Sequence, residues 1–128
     1  MKIKRIHHIA ILTDRYQESK QFYTDVLGFE VLNETYRKER DSYKLDLGLN
    51  GGYCLELFSF PEFKERNSFP ESKGLRHLAF AVDELEDCIA QLRAKGVEVE
   101  DVRIDTITGK RFTFFNDPNG QPLELYEE

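Results

Sequence analysis

The stretches "HIAILTD" (His8–Asp14) and "HLAFAVD" (His77–Asp83) share one pattern, H-x-A-x-x-x-D, in the two halves of a 128-residue chain. Each is followed by an amphipathic, helical-looking segment that a glycine stops, Gly28 in one half and Gly96 in the other, 20 and 19 residues after the histidine. A second pair of matching stretches lies further on. "YCLELFS" (Tyr53–Ser59) and "PLELYEE" (Pro122–Glu128) each place a glutamate between two leucines, and Glu56 and Glu124 stand 48 and 47 residues after His8 and His77. Four landmarks in register define an internal repeat. Filling in the pattern predicts a strand over about 3–12, a helix over about 15–27 and strands near 29–37, 42–49 and 53–60. The second half repeats this order, with a strand at about 75–82, a helix at 84–95 and strands near 97–103, 111–116 and 122–127. The fold class is therefore α+β, with two βαβββ modules.

Turn chemistry marks the boundaries. "NGG" (Asn50–Gly52) reads as a hairpin and "NDPNG" (Asn116–Gly120) as a tight turn before the last strand. The segment "SFPEFKERNSFPES" (Ser59–Ser72), with two prolines, separates the modules. The expected organisation is one domain over 1–128, with module 1 at about 1–60, a linker at about 61–73 and module 2 at about 74–128.

Composition narrows the function classes. A net charge of −6, with the basic residues of "YRKERDSYK" interleaved with acids, argues against nucleic acid as a partner. No apolar run nears the roughly 20 residues of a membrane span and "MKIKRIHHIA" has no secretory apolar region, so no membrane partner and a cytoplasmic location are expected. Cys54 and Cys88 lack CxxC spacing and read as reduced thiols.

Alternation on the first strand of each module separates His8, Ala10 and Leu12 from Ile9 and Ile11, and His77, Ala79 and Ala81 from Leu78, Phe80 and Val82. The bulky set packs under the helix. The other face carries a histidine beside small alanines, which leaves room for a ligand. On the last strand of each module the leucines face the helix, so Glu56 and Glu124 point to the histidine side. Two imidazoles and two carboxylates suit one divalent ion per site: nickel, zinc, cobalt, manganese or iron. His7 rivals His8, but it points away by alternation and its counterpart in the second half is Arg76.

The motifs "HHIAILTDRYQESKQFYTDVLGF", "CLELFSF", "GLRHLAFAVDELED" and "FFNDPNGQPLELYE", which carry these four residues, resemble the vicinal oxygen chelate family over essentially the whole chain. Within it they are similar to small bacterial glyoxalase I-like, or lactoylglutathione lyase-like, proteins. The resemblance implies the glyoxalase/bleomycin resistance/dioxygenase fold, two βαβββ modules forming a curved mixed sheet with a central metal-binding cleft, with metal ligands at His8, Glu56, His77 and Glu124. It also implies isomerisation of a hemithioacetal, an α-oxoaldehyde–thiol adduct. Family members that grip glutathione carry Arg and Asn four residues after the first histidine and first glutamate, where this chain has Leu12 and Phe60. Each charge-assisted anchor lost costs roughly 1.5–3 kcal/mol, which argues against glutathione itself.

The activity expected is metal-dependent proton transfer next to a carbonyl, with Glu124 or Glu56 as the base and Glu124 slightly favoured. The alternatives are a non-catalytic small-molecule binding protein of the same fold, or another family enzyme: an epimerase, a thiol transferase or a dioxygenase. Phe58, Phe60, Phe63 and Phe69 are candidates for an apolar lid, Arg111 for holding an anionic substrate, and Cys54 for lining the cavity. Family members often exchange modules between chains, so a homodimer with sites shared between subunits is expected.

Overall fold

The computed structural model describes all 128 residues, Met1–Glu128. The chain divides into two compact units, Met1–Lys64 and Glu65–Glu128. In the first unit, β1 (Ile9–Thr13), α1 (Tyr16–Gln21), β2 (Glu30–Arg37), β3 (Ser42–Leu49) and β4 (Gly52–Ser59) form a four-stranded sheet in the order β1-β4-β3-β2. β1 runs parallel to β4 and the other pairs are antiparallel. The second unit repeats the plan. Its elements are β5 (Leu78–Val82), α2 (Leu85–Ala94), β6 (Arg103–Ile104), β7 (Arg111–Asn116) and β8 (Pro122–Glu127), ordered β5-β8-β7-β6 with β5 parallel to β8. These are two mixed four-stranded sheets of the glyoxalase/bleomycin resistance fold, each with a βαβββ order.

The two helices end differently, and the difference explains the one-residue offset between the repeats. α2 closes with Val97 N–H on the Leu92 carbonyl and Gly96 N–H on Arg93, the paired bonds that a left-handed glycine makes possible, and Gly96 has φ +79°. In the first unit α1 continues as a π-helical turn, Phe22–Val26, in which Leu27 N–H reaches back five residues to the Phe22 carbonyl. That wider turn accommodates one extra residue. Gly28, also at φ +79°, then ends it.

Some boundaries fall short of the expected ones. Strand structure begins at Ile9, not near residue 3, because the polar "MKIKR" has no buried face to supply. β6 is only two residues long; Val99 contributes an isolated bridge to Phe115, and Val102 and Ile104 stay exposed. The "NGG" turn joins β3 to β4 with Asn50 and Gly51 both at positive φ, the backbone of a two-residue hairpin loop whose twist matches its strands.

Alternation puts the core where the sequence implies. Ile11 is buried while Leu12, its neighbour, is 51% exposed. Leu45, Leu47, Leu55 and Leu57 are buried on the helix side of the first sheet with Tyr23, and Leu123 and Leu125 on that of the second with Leu85, Ile89 and Leu92. Each such leucine contributes about 1.5–3 kcal/mol of burial. These fixed sheets hold the opposite faces, where the polar side chains lie.

Candidate metal-binding half-sites

Each unit brings one histidine and one glutamate together. In the first, β1 and β4 pair with Ala10 beside Glu56, and His8 lies just before β1, two residues ahead of that alanine. His8 Nε2 lies 3.3 Å from Glu56 Oε2. In the second, Ala79 is beside Glu124 across β5 and β8, and His77 Nε2 lies 2.9 Å from Glu124 Oε2. Both carboxylates are about 10% exposed and both imidazoles more than a third, so each pair is a rooted acid under an accessible ring. His7 makes no contact with Glu56; its Nδ1 sits 2.8 Å from that of His8. His8 is the member of the "HH" pair that meets the carboxylate.

The spacings fit a metal ion. Donors about 2.0–2.2 Å from one ion at adjacent positions are separated by roughly 3 Å, which both pairs approximate. Each unit by itself supplies two donors, and no group of three or more His, Cys, Asp or Glu side chains that could hold a metal forms in the chain. A usual catalytic site draws three or four protein ligands.

The surroundings of the two carboxylates differ. Glu56 Oε1 accepts from the Tyr53 hydroxyl and lies 3.2 Å from Lys44 Nζ. Lys44 also holds Asp46 at 2.6 Å, and Asp46 is the cross-strand neighbour of Glu56. The Tyr53 ring stacks on His8, centroids 5.4 Å apart. Burial pushes the Glu56 carboxyl up, but the Tyr53 and Lys44 hydrogen bonds together outweigh it and hold the group below the ordinary carboxylate range. Burial, then the bond to Glu56, raises the Tyr53 hydroxyl, so it stays a donor. Glu124 has none of this. Its cross-strand neighbour is Phe114, whose ring meets His77 edge-on at 5.1 Å, and its one polar partner is His77.

A profile of the Glyoxalase/Bleomycin resistance protein/Dioxygenase superfamily matches residues 5–125. The chain belongs to that superfamily. Among its superfamily relatives, the uncharacterized protein YwkD of Bacillus subtilis (strain 168) is 59% identical, with all of both chains covered. Metallothiol transferase FosB of Staphylococcus haemolyticus is 30% identical over 97% of this chain and 84% of that one. The crystal structure of the glyoxalase family protein from Enterococcus faecalis superposes with a TM-score of 0.92 at 51% identity, covering 99% of this chain and all of that one.

The remaining candidates lie outside these pairs. Phe58 and Phe60 stack on each other, with the Arg37 guanidinium 4.8 Å above the first and Arg40 5.3 Å from the second. Arg111 forks onto Glu127 at 2.8 and 2.6 Å and reaches Glu86 at 2.9 Å, so its charge is already matched. Cys54 is half-buried with its thiol directed at the Leu47 carbonyl, and burial pushes that thiol up. Tyr53, Lys44, Asp46 and Phe114 were not among the expected site residues. Alternation carries the signal for three of them: buried Leu45 and Leu47 turn Lys44 and Asp46 to the Glu56 face, and buried Thr113 and Phe115 turn Phe114 to that of Glu124.

Proposed function

We propose that the chain is a divalent-metal-dependent lyase or isomerase that moves a proton at carbon next to a carbonyl, with His8, Glu56, His77 and Glu124 as the ligand set. The observation that carries this is the pair of His–Glu contacts, 3.3 and 2.9 Å, repeated at matching positions of two sheets. A divalent ion held there would act as a Lewis acid toward two adjacent substrate oxygens. Glu124 is the base. Its carboxylate has no hydrogen-bond donor besides His77 and so can take and return a proton, whereas Tyr53 and Lys44 occupy Glu56. Ala79 and Ala10 keep the face open. An α-oxoaldehyde–thiol adduct fits this chemistry, with a thiol other than glutathione because Leu12 and Phe60 supply no anchors.

FosB, at 30% identity, favours thiol transfer as a second reading. Glu56 weighs against it: family thiol transferases usually lack a glutamate at the first carboxylate position. A metal-free binding protein is the remaining contrast. Elemental analysis of protein purified without added metal separates these classes. About one ion per ligand quartet, lost in His8→Ala and in His77→Ala, is expected; full-length folded protein with no metal affinity overturns the reading.

Family members often exchange modules between chains, and on that ground the sites are proposed to be shared within a homodimer, each drawing one His–Glu pair from each subunit. Equal mixing of His8→Ala and His77→Ala chains then restores about a quarter of wild-type sites, one intact site in each mixed dimer. No recovery after verified exchange of chains assigns each site to a single subunit.

A further inference from the structure

In the second unit a cavity of about 510 Å³ opens beside His77. Arg76, Arg103 and Glu100 line it with Phe69 and Phe114. Two guanidinium groups against one carboxylate make this hollow locally cationic on a chain whose net charge is −6. Aromatic faces support both cations. Arg103 lies 5.1 Å over the Phe114 ring and Arg76 5.0 Å over Phe69. Arg76 donates to the Ser68 carbonyl at 3.1 Å and has no carboxylate partner. Arg103 pairs with Glu100, but both side chains are more than half exposed, and such a surface pair is readily exchanged for a ligand. Phe114 connects this charge to the His–Glu pair, since the same ring that carries Arg103 on one side meets His77 at 5.1 Å on another.

We propose that this cavity selects the substrate by an oxyanion, a carboxylate or a phosphonate carried a few atoms from the reacting carbonyl, with Arg103 and Arg76 holding that group and Phe114 spacing it from His77. The proposal deepens the metal-dependent reading and rests on it for the position of the carbonyl. It also replaces Arg111, whose charge Glu127 and Glu86 already match, as the anion-holding residue.

The test uses nickel-loaded protein and calorimetric titration with hydroxamates, which offer two adjacent oxygens to a metal. Butyrohydroxamate has a neutral tail, and the monohydroxamates of succinic and adipic acid have anionic ones. The acidic tails are expected to bind about tenfold or more tighter than the neutral probe. Arg103→Gln and Arg76→Gln should each erode that difference while leaving butyrohydroxamate affinity unchanged, which also shows that the variants are folded. Equal affinity for neutral and acidic probes overturns the proposal. If no hydroxamate binds, the metal reading has failed, and metal-free protein titrated with phenylphosphonate then decides alone. Saturable NMR shifts at the Arg76, Arg103 and Phe114 amides, absent in Arg103→Gln, support the anion site; no shift overturns it.

Discussion

The two half-sites have one backbone and two chemistries. On β4, the residue three before the glutamate is Tyr53 and the residues ten and twelve before it are Asp46 and Lys44; on the second unit the same positions hold Gln121, Phe114 and Phe112. The register is identical, with Asp46 opposite Glu56 and Phe114 opposite Glu124. The repeat fixes where the carboxylates stand, and the neighbours give them different surroundings. A carboxylate gripped by a hydroxyl and an ammonium is a fixed anion suited to holding an ion. The one beside Phe114, with His77 as its single polar partner, is the base of the proposed reaction.

The sharpest way to break this contrast is to neutralise each acid in turn. With metal at saturating concentration, Glu124→Gln should lower exchange of the carbon-bound hydrogen by about 10²–10⁴-fold, the usual worth of a positioned base. Glu56→Gln should mainly weaken metal retention and keep more of the exchange rate per loaded site. Equal losses in the two variants, measured by deuterium wash-in and metal content together, would abolish the distinction; wild-type exchange in both would remove glutamate as the base.

A smaller effect isolates the grip on Glu56. Tyr53→Phe keeps the ring that stacks on His8 and removes only the hydroxyl, so the fold should be undisturbed. Partners that orient a metal ligand are typically worth 10–100-fold in affinity; a loss of about tenfold is expected here, read by competition with a chelator. Gln121→Ala, at the matching position of the second unit, should change affinity little. Its amide donates to the neighbouring Pro122 carbonyl and not to Glu124. Matching losses in the two variants would make the second half-site as dependent on that position as the first.

Much of this was legible in the sequence because it follows from period-two alternation and a repeat. His8, Ala10 and Glu56 share a face once β1 and β4 are parallel neighbours, and the leucines flanking each glutamate declare which side is the core. Three things were not legible. The one-residue offset between the halves betrays an insertion but not its form, and the π-helical turn at Phe22–Val26 is a choice of hydrogen bonding that the spacing of apolar residues does not reveal. The tie between Arg111 and Glu127 depends on which long side chains meet across two strands and a helix. Tyr53 lies an odd number of residues from Glu56, so alternation alone places it on the opposite face. The register shift between Leu47 and Gly48, beside Tyr53, breaks that alternation.

The smallest test asks whether the contrast extends beyond the site. Two residues after the repeated aspartate and six after the helix-ending glycine, the first unit has Tyr16 and Glu34 where the second has Leu85 and Val102. Tyr16 donates to Glu34 Oε2 at 2.5 Å and Lys20 adds contacts at 3.1 and 2.9 Å, a polar clasp between α1 and β2, while Leu85 is fully buried. The Tyr16 bond first, then that of Lys20, holds Glu34 below its ordinary value near 4.5 in spite of burial. A depressed folded-state pKa stabilises the fold above the unfolded value and is lost as pH falls through the folded one. Bonds to a charged group are worth about 1.5–3 kcal/mol, and the one-third exposure of Glu34 reduces this to about 1 kcal/mol. In metal-free protein, urea titrations should therefore find Glu34→Gln about 1 kcal/mol less stable at pH 7, with the gap closing below pH 4.5. Hydrogen exchange should assign the loss to α1 and β2. A gap that persists unchanged to pH 3 would mean that the clasp acts through shape, not charge, and would leave the polar character of the first unit confined to its half-site.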